Sequence, residues 1–151
     1  MELTLRQRII GSLVALALSF ATGPVAAQGE PGADGTSALA IDLNGTAQVD
    51  GACRFTFVIR NGLSANIGKS VFEFALFNKS GLVARLPTLD FKELPKGKTR
   101  VRQFDLADLN CGELARVLVN DARECSGEGV EPASCMANLK TTTATDLEFG
   151  N

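Results

Sequence analysis

The chain has 151 residues, of which 15 are basic and 17 acidic, so its formal net charge at pH 7 is −2. This near-neutral balance gives no bias towards nucleic acid or an anionic membrane surface. Histidine, tryptophan and tyrosine are absent, which excludes Ser-His-Asp and Cys-His catalysis and any imidazole metal ligand.

The first 27 residues have the pattern of a secretory signal peptide. Arg6 and Arg8 precede an apolar run over residues 9–21, and Val25 and Ala27 fit the −3 and −1 positions of a cleavage site. The run is shorter than the roughly 20 residues that cross a bilayer, although an uncleaved membrane anchor is the alternative. Cleavage after Ala27 would leave a chain long enough for one domain. No second apolar stretch of membrane-spanning length is expected in it.

Residues 28–37 have the sequence QGEPGADGTS and no hydrophobic period, which predicts a flexible N-terminal arm. Export would place the four cysteines in an oxidising compartment, where cysteines form disulfides. We therefore predict a periplasmic or secreted protein whose folded domain covers residues 38–151.

From residue 38 onward the sequence has the pattern of β-strands. Residues 53–60 alternate so that Cys53, Phe55, Phe57 and Ile59 share one face. Further strands are predicted at 38–49, 71–77, 82–91 (interrupted by a proline), 98–106, 114–119 and 139–149. Seven strands with turn residues between them predict an all-β fold, an immunoglobulin-like two-sheet antiparallel sandwich.

The predicted strand at 98–106 has an irregular alternation. Val101 and Phe104 have opposite parity, so they cannot share a face of a regular strand. We predict a β-bulge between them that brings both into the core.

The centre of the chain resembles the FxLYD-type family of exported β-sandwich modules. The naming motif of that family appears here as Phe74-Ala75-Leu76-Phe77-Asn78, with Phe in place of Tyr and Asn in place of Asp. The strand end VIRN at 58–61 and the residues Gly81, Pro95 and Gly97 also follow the pattern of the family. The mature chain also resembles exported alphaproteobacterial proteins of unassigned function that carry similar paired cysteines. These resemblances imply an immunoglobulin-like binding or accessory module without catalytic residues or a cofactor.

Four cysteines permit three disulfide pairings. In an immunoglobulin-like strand order, Cys53 begins the second strand and Cys111 directly precedes the sixth. Those strands run in the same direction in facing sheets, so both cysteines are expected at one end of the sandwich. Cys125 and Cys135 flank a loop at the other end, which predicts the pairs Cys53–Cys111 and Cys125–Cys135. A zinc site is disfavoured because histidine and C-x-x-C spacing are absent.

Basic residues concentrate along one turn and the strand that follows it. The cluster comprises Lys96, Lys98, Arg100 and Arg102, with Lys92 beside it and Lys79 and Arg85 as further candidates. A basic face can steer an acidic partner or envelope polymer. Alternatively, cations on an edge strand prevent pairing between sheet edges. Acidic residues are expected around the last hairpin: Glu124, Glu128, Glu131, Asp146 and Glu148.

Two functions of different classes follow. The first is a non-enzymatic extracytoplasmic binding or accessory module, stabilised by disulfides, whose partner is an envelope protein or polymer. The second is a structural or scaffold subunit that assembles with itself through an exposed sheet edge. No catalytic residue, metal site or cofactor is predicted, because the carboxylate pairs in the sequence, such as Asp105 with Asp108, have the context of solvated surface.

Overall fold

The computed structural model describes residues 37–151, and the predicted signal peptide and all but the last residue of the predicted arm lie outside the described residues. The described part is built almost entirely from strands. These are β1 (Leu39–Val49), β2 (Ala52–Asn61), β3 (Ile67–Asn78), β4 (Val83–Arg85), β5 (Thr88–Leu94), β6 (Thr99–Ala107), β7 (Leu114–Ser126), β8 (Leu139–Thr143) and β9 (Glu148–Gly150). A 3₁₀ turn (Cys111–Glu113) precedes β7, and one short helix, α1 (Ser134–Ala137), follows it.

The strands form two sheets that pack as a sandwich. The first sheet has the order β6-β2-β1-β8, and the second has the order β4-β3-β7-β9, with β5 also pairing with β3. Most neighbours are antiparallel, but β8 runs parallel to β1 and β9 runs parallel to β7. The predicted all-β sandwich is therefore confirmed, with a parallel pair added to each sheet by the C-terminal segment.

The C-terminal segment forms two strands rather than the single predicted strand over 139–149. β8 pairs with β1 in the first sheet, whereas β9 pairs with β7 in the second. Between them, the Thr143 and Thr145 hydroxyls accept hydrogen bonds from the backbone N–H groups two residues later, at 3.0 and 3.2 Å. Alternating threonines satisfy a strand pattern, but such local hydroxyl-to-backbone bonds favour a turn.

Phenylalanine rings from both sheets fill the space between them. Phe57 from the first sheet lies 5.3 Å from Phe74 and 5.5 Å from Phe91 of the second, measured between ring centroids. The inner face of β2 consists of Cys53, Phe55, Phe57 and Ile59, all at most 1% exposed. The predicted alternation of this strand is confirmed, because all four side chains belong to the buried core.

The predicted β-bulge in β6 is wrong. The pairing of β2 with β6 continues without interruption from Ala52 opposite Ala107 to Arg60 opposite Thr99. Val101 therefore lies on the outer face, 57% exposed, while Phe104 is half-buried on the inner face. An unbroken ladder keeps the hydrogen bonds to β2 that a bulge would disrupt.

Both predicted disulfides are present. Cys53 of β2 is bonded to Cys111 at the start of the 3₁₀ turn, 58 residues apart in sequence. Cys125 of β7 is bonded to Cys135 of α1, across 10 residues. The first bond ties the two sheets together at one end of the sandwich, and the second fastens a single loop at the other end.

Candidate functional site

Five cationic side chains lie together at one end of the first sheet, and we call this group the basic end: Arg60, Lys96, Lys98, Arg100 and Arg102. The two lysines are exposed on the turn that joins β5 to β6. The two β6 arginines are half-buried, and the exposed Arg60 lies at the end of β2, where it pairs across the ladder with Thr99. The four residues predicted from the sequence lie on this turn and the strand that follows it. Strand pairing brings Arg60 to the same end of the sheet beside Thr99, on the outer face, whereas Arg100 and Arg102 alternate towards the inner side.

Backbone hydrogen bonds fix the turn that carries the two lysines. The N–H of Lys96 donates to Oδ1 of Asn66 at 2.9 Å. The backbone of Asn61 accepts from the N–H of Gly97 at 2.7 Å and donates to the carbonyl of Lys98 at 3.1 Å. Because the backbone is held at three successive residues, the lysine side chains project from a fixed base.

Asn61 connects this turn to the rest of the fold. Its side chain is fully buried, and Nδ2 donates to the carbonyls of Ala65 at 2.9 Å and Leu94 at 2.7 Å. Oδ1 accepts from the N–H of Leu63 at 2.9 Å. A buried amide with these bonds stabilises the conformation of three chain segments at once.

No residue of the basic end forms an ion pair within residues 37–151. Elsewhere in that range, Arg54, Lys69, Lys92 and Arg123 each have a carboxylate within 4 Å. Lys79, Arg85 and Arg116 also form no ion pair there, but they do not adjoin one another along the chain. The positive charges of the basic end are therefore concentrated at one place and left available to an external anion.

Two ion pairs, one between β2 and β6 and one on β5, shift the titration of their carboxylates. Arg54 donates two hydrogen bonds to Asp105, at 2.6 and 2.7 Å, and they lower the pKa of that carboxyl group. The Lys92 side chain bonds to Asp90 at 2.7 Å and, with the Lys92 backbone N–H, lowers the pKa of Asp90. Lys92 was predicted to lie beside the basic cluster, but its charge is compensated by this neighbour.

Two arginines bridge the open side of the sandwich. Nε of Arg102 on β6 donates to the carbonyl of Phe91 on β5 at 2.9 Å. Nη1 of Arg85 on β4 donates to the carbonyl of Ala107 at the end of β6 at 2.6 Å. Arg85, a candidate for the basic cluster, therefore binds the far end of β6.

The other charged residues singled out from the sequence are dispersed. Lys79 lies at the opposite end of the molecule, in an open cleft of about 780 Å³ that Asp146 and Glu148 also line. Glu124 pairs with Lys69 at the other end of β7, at 2.8 Å. The expected acidic group around the last hairpin is thus divided between the two ends, because β9 starts beside Arg116, near the beginning of β7.

Comparison with known proteins identifies a similar fold. No family model matches the chain, and no curated protein matches it either. Among solved structures, IrmA from Escherichia coli is similar, with a TM-score of 0.52 at 13% sequence identity. The match covers 68% of this chain and 89% of the IrmA chain. At this identity the similarity to IrmA concerns the fold alone.

The resemblance to the FxLYD-type family stays a prediction, since no family model matches. The structure nevertheless explains the residues that carry the resemblance. Phe74 and Leu76 are core residues, Asn61 is the buried amide described above, and Gly97 has a positive φ of 70° in the lysine turn. Each of them serves packing or turn geometry, which is what a fold-level motif requires.

Within residues 37–151, no group of three or more His, Cys, Asp or Glu side chains is placed to hold a metal ion. In the same range, no helix is long and apolar enough to cross a membrane. Sequence reasoning missed Arg60 because only the pairing register of β2 and β6 brings it to the lysine turn.

Proposed function

We propose that this protein is a non-enzymatic extracytoplasmic module, periplasmic or secreted, that binds an acidic component of the cell envelope through the basic end. The observation that carries the proposal is the group of five cations without carboxylate partners on a backbone-fixed turn and strand. The two disulfides support an oxidising compartment, where such bonds persist.

Preorganisation is the physical reason for placing the binding site at this end. Ordering flexible side chains and loops on binding costs free energy, and a turn already fixed by Asn61 and Asn66 avoids part of that cost. Uncompensated charges also accelerate the encounter with an oppositely charged partner, in a manner that salt weakens. Both arguments favour the basic end over the cleft at the opposite end, which contains charges of both signs.

The test compares two double variants that carry the same change in net charge. Lys96→Glu with Lys98→Glu reverses the exposed part of the basic end, while Lys79→Glu with Arg116→Glu reverses two cations at the opposite end. Binding to labelled polyglutamate is measured by fluorescence anisotropy at 50 and 500 mM NaCl. We expect the first variant to bind at least about tenfold more weakly at low salt, and the control to bind like wild type. Equal affinity of both variants would contradict the proposal.

A self-assembling structural subunit is the second candidate function, and a different observation favours it. Leu82, Val83 and Leu86, beside and within the edge strand β4, are 66%, 52% and 56% exposed. Exposed apolar residues on a free sheet edge favour pairing with another chain. Sedimentation over a hundredfold concentration range tests this function, and a monomer throughout would count against it.

A further inference from the structure

β6 is an edge strand with a free row of backbone hydrogen-bonding groups. Its one neighbour in the sheet is β2. The bonds from Asn61 N–H to the Lys98 carbonyl and from Asp108 N–H to the Gly51 carbonyl fix which groups face β2. By the alternation of an antiparallel ladder, the N–H and C=O groups of Thr99, Val101 and Gln103 point away from the sheet.

Arginine side chains cover this row unevenly. Nη1 of Arg100 and Nη1 of Arg102 each approach the preceding carbonyl at 3.4 Å, which is a long hydrogen bond. Arg85, by contrast, binds the Ala107 carbonyl at 2.6 Å and closes the far end of the strand. The Thr99 and Val101 carbonyls are therefore covered only by weak guanidinium bonds, although Arg102 is also held by its bond from Nε to the Phe91 carbonyl at 2.9 Å.

Val101 is an independent indication that this edge contacts a partner. It is a large apolar residue, 57% exposed, between Arg100 and Arg102, and on the outer face it pairs with the half-buried Val58. A further strand beside β6 would cover Val101 and extend this apolar pair across the sheet.

We propose that β6 accepts an extended segment of a partner protein as an added strand, and that this segment has acidic residues at alternate positions. The proposal rests on the proposed function and names its ligand. On one side of the added strand, carboxylates about 7 Å apart would face Lys98, Arg100 and Arg102, which have the same spacing. On its other side, β-branched residues would cover Val101.

The arginines also provide the selectivity of this edge. A neutral strand would displace the guanidinium groups from the edge carbonyls and offer them no carboxylate in return. An acidic strand offers carboxylates that bind those groups more strongly than a carbonyl does. The same move frees the carbonyls of Thr99 and Val101 to pair with the incoming backbone.

Three peptides and one inorganic anion separate an added strand from simple charge attraction. The first is a nine-residue peptide in which glutamate alternates with valine and threonine. The second has the same composition but its glutamates are contiguous, and the third is the first peptide with alternate backbone nitrogens methylated. Inorganic polyphosphate serves as an anion without a peptide backbone. Affinity is measured by titration calorimetry, and amide protection by hydrogen exchange followed by NMR.

We expect the alternating peptide to bind at least about tenfold more tightly than the methylated one, since two or more backbone hydrogen bonds are lost. The amides of Val101 and Gln103 should become protected in that complex. In the protein, Gln103→Pro removes an outward N–H that β2 does not use, and a proline is tolerated at such an edge position. This variant should lose the preference for the unmethylated peptide while keeping its affinity for polyphosphate.

The outcomes distinguish this proposal from the one on which it rests. Equal binding of all peptides and polyphosphate, without amide protection, would overturn the added strand and leave an anion-binding surface. Absence of binding to every probe would overturn both. If Gln103→Pro unfolds the protein, Val101→Thr keeps the N–H but removes the apolar contact. It should bind the alternating peptide about threefold more weakly, and unchanged binding would contradict the role of Val101.

Discussion

Asn61 determines the position of the basic end at the scale of a single residue. Replacing it with leucine would leave the Leu63 N–H and the Leu94 carbonyl without their partner, in a fully buried site. An unsatisfied buried polar group costs roughly 1–3 kcal/mol. We expect Asn61→Leu to lower the free energy of unfolding by about 2–4 kcal/mol, measured by urea denaturation.

Asn44 supplies the matched control for this prediction. Its amide donates to Asp42 at 3.2 Å, but the residue is exposed, so water can replace the bond. Asn44→Ala should change the stability by less than about 0.5 kcal/mol. If both variants lost the same stability, the burial of Asn61 would not be the cause, and its role in holding the lysine turn would have to be abandoned.

Gly127 is a second single residue that supports the basic end, and sequence patterns do not reveal its role. A Cβ atom at this position would collide with the backbone carbonyl of Asn66, the residue whose side chain holds the Lys96 N–H. Only glycine permits so close an approach. The contact joins residues far apart in sequence, so no local motif could have predicted that this glycine supports the basic end.

At the scale of the element, the ion pair between Arg54 and Asp105 joins the outer faces of β2 and β6. Hydrogen bonds from Arg54 lower the pKa of Asp105 in the folded protein. A carboxyl group whose pKa is lower in the folded state stabilises the fold above its unfolded pKa of about 3.9, and this contribution disappears as the pH falls through the folded value.

We therefore expect Asp105→Asn to lower the melting temperature between pH 5 and 7, and the difference from wild type to shrink below about pH 4. Differential scanning calorimetry across this range measures it. Asp108→Asn is the control, because Asp108 is exposed, has a positive φ of 56° that asparagine tolerates, and forms no ion pair within residues 37–151. A constant difference down to pH 3 would contradict the assigned role of Asp105.

Individual strands differ in how well their sequences predict them. β2 lies between two neighbours and packs one face on the core, so its alternation identifies its buried residues. β6 has β2 as its one neighbour in the sheet. Leaving Val101 exposed on this edge strand costs less free energy than a bulge, which would break hydrogen bonds to β2. The segment 139–149 was harder to predict, because its threonines fit a strand and a turn equally well. Pairing with β1 in the first sheet and with β7 in the second determines where the chain passes from one sheet to the other.

At the scale of the molecule, strand spacing and turn residues were sufficient to predict a sandwich, and strand direction was sufficient to predict the disulfides. The composition of the basic end was only partly predictable. Lys96, Lys98, Arg100 and Arg102 are close in sequence, so a local cluster identifies them. Arg60 reaches the same end of the sheet, on its outer face, through a register formed across 39 residues, and that register depends on the whole sheet.

The two disulfides act on the whole molecule to different extents. The Cys53–Cys111 bond joins residues that are 58 positions apart in the sequence, and the Cys125–Cys135 bond joins residues that are 10 positions apart. On the chain-entropy model these closures stabilise the fold by about 4 and just under 3 kcal/mol respectively. Cys53, Cys125 and Cys135 are buried and Cys111 is half-buried, so the packing lost on substitution by alanine is somewhat larger for the second pair and reduces the difference that loop length produces.

We expect the double variant Cys53→Ala, Cys111→Ala to lose about 1 kcal/mol more stability than Cys125→Ala, Cys135→Ala, measured by urea denaturation. The short loop has a separate role, because β7 ends at Ser126 and the next residue contacts the carbonyl of Asn66. Removing the second disulfide should therefore increase hydrogen exchange at the Lys96 amide more than removing the first. A larger increase in the Cys53, Cys111 variant would show that the bond between the sheets, and not the loop, keeps the basic end rigid.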